Sequence, residues 1–153
     1  MAINNIWVFA QGSNGVATTG TLELLTKARS LSSKVTAFVG GDASAFAASL
    51  GEHGATKVYA TGDLAGKLPG VALAVAMKSI IDGGDSPDVI MFPQNYEGRD
   101  TMARLSVKLN RTVLTNNIDL ADTADGVVAT TPVFGGNILV ATAFSGPGPH
   151  LVS

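Results

Sequence analysis

Three residues that could hold an anion, Gly98, Arg99 and Asp100, stand together at the expected start of a helix over residues 99–109. A helix N-terminus presents free N–H groups and the positive end of the helix dipole, so an arginine beside it favours a bound anion. The same residues also support a structural reading, in which Asp100 caps its own helix and Arg99 pairs with Glu97 or Asp100. On that reading the two carboxylates repel a phosphate. A second candidate, the run Gln11, Gly12, Ser13, Asn14, Gly15, has the composition of a phosphate loop. It matches neither the Walker A spacing nor G-x-G-x-x-G, and Gly12 and Gly15 read as turn residues.

Other chemistries lack their residues. There is no Cys, which excludes a disulfide scaffold, a thiolate metal site and a cysteine nucleophile. The two histidines, His53 and His150, are too few and too far apart for a histidine metal cluster. No G-x-S-x-G elbow occurs, and Ser30, Ser32, Ser33 and Ser86 have no recognisable base. Asp82, Asp85 and Asp88 flank Gly83, Gly84 and Pro87 and read as turn acids between a helix and a strand. His53 follows a helix end and reads as a surface residue, while Trp7 lies inside an apolar run and reads as core. These residues form no catalytic constellation.

The chain has 153 residues and 15.5 kDa, enough for one domain with its own core. A fold of that mass exposes roughly 7,200 Å². A net charge of −2 and a pI near 5.5 argue against nucleic acid as a partner. Charged residues make up only 14%, against the usual ~25%, so part of the surface is expected to be covered. The longest apolar run, residues 71–77, falls far short of the ~20 residues a membrane helix needs. The N-terminus has no basic stretch ahead of its first apolar run. The chain therefore reads as cytoplasmic, without membrane insertion.

Continuous apolar runs at residues 6–10, 35–39, 57–60, 88–93 and 112–115 read as strands. Helical spacing places helices at 19–31, 43–50, 69–82 and 99–109, with Thr19 or Thr21 as the first cap. The alternation predicts an α/β fold: an open, doubly wound, five-stranded parallel sheet flanked by helices. With the first and fourth strands adjacent, the loops at 11–19 and 94–100 meet at the carboxyl edge, where ligands of such sheets sit. After a turn at 121–126, residues 127–134 and 137–144 form a hairpin about Gly135-Gly136, and residues 150–153 begin a third strand. This gives a single domain, 1–153, with a parallel core at 1–119 and a C-terminal antiparallel β-meander at 120–153. Its last strand is either cut short or completed by a neighbour.

Beyond Arg111 there is no Lys or Arg, so the meander is poorly defended against edge pairing. It packs on the domain's own helices or docks on a partner. Pro132, Phe134, Gly135, Gly136 and Asn137 are the interface candidates, and the unfinished strand favours a homodimer.

The order of several short motifs resembles one family. They are Thr21-Leu22-Glu23-Leu24-Leu25, then Gly54-Ala55-Thr56-Lys57-Val58-Tyr59, then Pro87-Asp88-Val89-Ile90-Met91-Phe92 followed by Gly98-Arg99-Asp100 and Ala103-Arg104-Leu105, and last Gly135-Gly136-Asn137. Together they are similar to the N-terminal domain of the electron-transfer flavoprotein alpha subunit, over nearly the whole chain. The resemblance implies an electron carrier rather than a catalyst: an alpha–beta heterodimer that moves electrons through FAD. Its donors are acyl-CoA and related dehydrogenases, and its acceptor is a quinone oxidoreductase or similar protein. It also implies that FAD is held mainly by a second, C-terminal domain, so none is expected on this chain alone. In the related beta subunit the loop equivalent to 94–100 helps hold AMP, and Gly98-Arg99-Asp100 does not match that nucleotide pattern; the alternative function, an adenine-nucleotide-binding module of the same fold, rests on the helix N-terminus at Arg99. Two positions depart from the family: Thr131 stands where Arg usually precedes the proline, and Asn116 where Asp is common. Both changes remove charge.

Overall fold

The computed structural model describes residues 3–153. In chain order the elements are β1 Ile6–Ala10, β2 Gly12–Ser13, β3 Val16–Ala17, α1 Thr19–Leu31, β4 Val35–Val39, α2 Ala47–Glu52, β5 Lys57–Ala60 and α3 Gly70–Asp82. They continue as β6 Val89–Met91, α4 Tyr96–Leu109, β7 Val113–Leu114, β8 Asp119–Thr123, β9 Gly126–Val133, β10 Ile138–Ala143 and β11 His150–Val152.

Residues 6–10 and 35–39 are buried throughout, as a strand covered on both faces requires. Their side chains alternate between two cores. Ile6, Val8, Ala10, Val35, Ala37 and Val39 face α1 and α2, while Trp7, Phe9 and Phe38 face α3 and α4. Trp7 is fully buried against Phe38, as its place in an apolar run suggests.

The main sheet is parallel, in the order β5-β4-β1-β6-β11-β7. It has a sixth strand that the sequence pattern did not place. Residues 150–152 form no third meander strand; they lie between β6 and β7, with Leu151 opposite Ile90 and Val113. The reason lies in their flanks and their burial. The Gly/Pro-rich segment before them carries the chain back along the sheet, and Arg111 donates to the Gly148 carbonyl at 3.2 and 3.1 Å. Leu151 then enters one core and Val152 the other. With a neighbour on each side, β11 offers no free edge, so the homodimer expected through it has no unpaired backbone to use.

The third position in the antiparallel sheet belongs to β8, in the order β10-β9-β8. Residues 121–126 read as a turn in the sequence, whereas residues 119–123 pair with β9, Asp119 opposite Thr130 and Thr123 opposite Gly126. Leu120, Val127 and Ala129 attach this sheet to the core on the α1–α2 side. The remaining hairpin projects, and the accessible surface of 7748 Å² exceeds the roughly 7,200 Å² expected for the mass. Smaller differences sit at helix ends. Thr18 caps α1, accepting from Thr21 N, in place of Thr19 or Thr21, and α2 begins at Ala47 rather than residue 43.

The joint between the two sheets contains His150, whose ring stacks on Phe144 at 4.4 Å. Burial lowers its pKa from the ordinary 6.5, and Arg111 adds to this while Asp88 opposes it. With the folded value below 6.5, the unfolded chain binds the proton first, so stability falls as pH drops from about 6.5 through the folded pKa. His150→Gln removes this part of the slope in a pH series of urea unfolding curves. In the same assay at neutral pH, Leu151→Ala costs about 2–5 kcal/mol, as for a core leucine. A surface strand would lose far less.

Candidate functional site

At the carboxyl edge of β1 and β6, a cleft of about 630 Å³ is lined by Gln11, Ser13, Thr18, Leu68, Asn95 and Glu97, among others. The two loops singled out in the sequence do flank it. Buried Thr21 fixes the first loop: its hydroxyl accepts from Gln11 N at 2.7 Å and donates to Gln11 O at 3.0 Å. Asn95 fixes the second by capping α4, its side chain accepting from Gly98 N at 2.9 Å. The helix therefore starts at Tyr96, a turn earlier than the expected residue 99, and Asp100 is not its cap. Asn95 Nδ2 donates to Gln11 Oε1 at 2.6 Å, and Gln11 Nε2 donates to Glu97 Oε2 at 2.5 Å. One glutamine thus ties the two loops together across the cleft.

The structure separates Gly98, Arg99 and Asp100 in role. Gly98 is buried and lies so close to Pro93 that a Cβ there would collide with the Pro93 carbonyl oxygen. Its N–H, which an anion would need, is already used by Asn95. Asp100 accepts from Arg104 Nε at 2.9 Å to both oxygens, which raises the arginine pKa. Arg99 is exposed, and among the described residues its guanidinium has no hydrogen-bond or ion-pair partner. A phosphate entering the cleft would meet the Glu97 and Asp100 carboxylates and find the cap position filled.

The other sequence candidates gather at one place. Pro132 lies one residue before the end of β9, opposite Leu139, and residues Phe134–Gly136 make a 3-10 turn at the hairpin tip. Gly135 and Gly136 have φ of 68° and 90°, and Asn137 Nδ2 donates to the Phe134 carbonyl at 3.0 Å. Phe134 itself has φ of 50°, which is strained for a bulky residue, and the residue is 78% exposed. Ile138, Leu139 and Val140 follow, all exposed. The tip thus presents a large aromatic side chain to solvent in a strained backbone conformation.

A neutral network beside a smaller pocket escaped the sequence reading. Asn117 Nδ2 donates to the carbonyls of Leu114 and Ser153 at 2.7 and 3.0 Å, and its Oδ1 accepts from Thr131 at 2.8 Å. Ser153 donates to Gln94 Oε1 at 2.8 Å, and Gln94 also donates to Asn116. Both departure positions, Thr131 and Asn116, therefore make uncharged hydrogen bonds that join β7, β9 and β11 to the loop before α4. No sequence motif marks such a network, because its members are isolated amides and hydroxyls. On the rim of the same pocket, Lys27 pairs with Asp119 at 2.6 Å and holds that carboxyl below its ordinary pKa. Among the described residues no three His, Cys, Asp or Glu side chains converge on a point, and no helix is long and apolar enough to cross a membrane.

The family model for the electron transfer flavoprotein domain matches residues 6–153. Electron transfer flavoprotein subunit alpha of Syntrophomonas wolfei is 27% identical over 141 residues, covering 92% of this chain and 44% of that protein. The Clostridium acetobutylicum subunit alpha is 24% identical, covering 97% of this chain and 46% of that protein. Protein FixB of Clostridium saccharobutylicum is 28% identical with the same coverage. The chain thus spans a little under half the length of these relatives.

The carboxylates at the cleft generate a direct expectation. Calorimetric titration with AMP or ATP gives no heat up to millimolar nucleotide, and saturable binding would overturn the electrostatic reading of this cleft.

Proposed function

The chain belongs to the electron transfer flavoprotein domain family, and from that membership we propose that it is the N-terminal domain of an alpha subunit. It is the structural and docking part of a cytoplasmic electron carrier. Its partner is a beta subunit, its donors are acyl-CoA or related dehydrogenases, and its acceptor is a quinone oxidoreductase or similar protein. No residue of this chain catalyses a reaction. FAD supplies the redox chemistry when bound, and the polypeptide supplies binding and position.

The observation that carries the docking role is the projecting hairpin. Residues 126–149 contain no Asp, Glu, Lys or Arg, and the tip holds Phe134 in the open at a strained φ. Interface centres are depleted in charge and enriched in aromatic residues. Pro132, Gly135, Gly136 and Asn137 shape the turn that presents the ring, and Thr131 extends the uncharged surface where the family usually has Arg.

The donor set of the carboxyl-edge cleft does not fit a dinucleotide. Its diphosphate would lie against Glu97 and Asp100, with Asn95 already in the cap position. This supports the reading that FAD is held mainly by polypeptide outside this chain. The same carboxylates weigh against the alternative of an adenine-nucleotide-binding module.

Two measurements test the proposal. The chain purified alone shows no flavin absorbance; a stoichiometric flavin spectrum would defeat the assignment of FAD to other polypeptide. Co-expressed with a beta subunit from the same genome, it forms a stable complex, and Phe134→Asp weakens that complex by about 2 kcal/mol, roughly thirtyfold in Kd. Unchanged affinity would remove the tip from the interface.

A further inference from the structure

The cleft at the carboxyl edge repels phosphate, and the same arrangement selects for the opposite charge. Hydrogen bonds across it run in one direction, set by a backbone group that can only donate. Gly98 N–H donates to Asn95 Oδ1 at 2.9 Å, which turns Asn95 Nδ2 toward Gln11 Oε1 at 2.6 Å. Gln11 is left with its Nε2 for Glu97 Oε2, at 2.5 Å. The relay therefore ends on a carboxylate. Glu97 lies in the first turn of α4, where the helix dipole favours its negative charge. Among the described residues no cation pairs with it, and its Oε1 is left free. Asp100, the other carboxylate in the lining, is already paired with Arg104 and lies so close to Gly70 that a Cβ there would collide with it. Among the described residues no Lys or Arg lines the cleft.

The rest of the lining suits an apolar stem. Tyr96 and Leu68 are 90% and 72% exposed, and both line the cleft together with Pro69. An aromatic face and a carboxylate in one cavity hold ammonium and guanidinium groups, through cation–π attraction and charge-assisted hydrogen bonds. The walls are preformed. Thr21 and Asn95 fix the two loops, and Gly12 lies so close to the Phe46 ring that a Cβ would collide with it. The volume of about 630 Å³ falls within the ~300–1,000 Å³ of small-molecule sites. The cleft also stands between β1 and β6, where the strand order of the main sheet reverses and ligands of open parallel sheets sit.

We propose that this cleft binds a small organic cation, a guanidinium or primary ammonium group on a short apolar stem, with its charge on Glu97 and its stem along Tyr96, Leu68 and Pro69. The ligand must bring donors, because the relay through Asn95 and Gln11 ends on an acceptor. It must be cationic, because a neutral body laid over Glu97 would bury a carboxylate without a partner charge. A nucleotide fails this requirement at its phosphates, which carry the wrong sign. The site owes nothing to the projecting hairpin, so it stands or falls separately from the docking role.

Butylguanidinium and butylurea separate charge from shape, since both have a planar donor head on the same stem and only the first is charged. In nuclear magnetic resonance titrations of the isotope-labelled wild-type chain, butylguanidinium shifts the side-chain amides of Gln11 and Asn95 to saturation. Its affinity is roughly tenfold above that of butylurea, as a charge-assisted hydrogen bond requires. Equal affinity for the two probes overturns the assignment of a cation, and this comparison needs no variant. Glu97→Gln can still accept from Gln11 and keeps the fold, and it erases the preference for butylguanidinium. Glu52→Gln, on α2 and outside the cleft, leaves that preference intact. Tyr96→Ala removes an exposed ring and weakens butylguanidinium several-fold. A preference that survives Glu97→Gln overturns the role of that carboxylate. Shifts that spread over surface acids and miss Gln11 and Asn95 overturn the site, as does the absence of saturable binding. AMP that displaces butylguanidinium from the cleft overturns the charge selection on which the proposal stands.

Discussion

The ladder that β11 makes with β6 on one side and β7 on the other joins the two parts of this molecule. Only three residues long, it gives Leu151 to one core and Val152 to the other. Everything between β7 and β11 is an excursion that leaves the main sheet, forms the antiparallel sheet and returns. The return is fixed at several points: His150 N donates to Asp88 O at 2.8 Å, Arg111 holds Gly148, and Phe144 stacks on His150. Because both ends of the excursion enter one sheet, the smaller sheet cannot move freely relative to the larger one.

How legible each element was in the sequence follows from how much of its environment is local. Strands buried on both faces, such as Ile6–Ala10 and Val35–Val39, announce themselves as unbroken apolar runs. So does the thirteen-residue helix Thr19–Leu31, whose stripe is regular. The misreadings share a cause. The strand β8 hides because two aspartates interrupt its short apolar pattern, and β11 reads as the next meander strand because nearness in sequence is a poor guide to pairing across a sheet. The start of α4 was placed late because Asn95 was not recognised as a cap, and with it went the apparent free N-terminus at Arg99. The loops around the cleft were legible from topology. The Gln11 bridge between those loops was not, since it depends on a side chain meeting residues more than eighty positions away.

The low charge of the chain is distributed with a pattern. The parallel core keeps ordinary surface pairs, Lys34 with Asp85, Lys78 with Asp82 and Arg104 with Asp100. Exposed pairs of this kind contribute little to stability, but they keep the surface soluble. The excursion after β8 has none, and Thr131 and Asn116 make only neutral hydrogen bonds, with Asn117 and Gln94. The neutral surface therefore coincides with the part of the fold that projects, rather than being spread over the whole molecule.

The order in which the main sheet is assembled has a consequence for biosynthesis. Until β11 is made, β6 has a neighbour on one side only and β7 has none. Translation must proceed from residue 91 to residue 150 before the gap can close, which takes roughly 3–12 s at about 5–20 residues per second. Throughout that interval the nascent polypeptide presents Val89, Ile90 and Met91 along an open parallel edge. The emerging chain is then at its stickiest, and holdase chaperones at the ribosome exit have most to do.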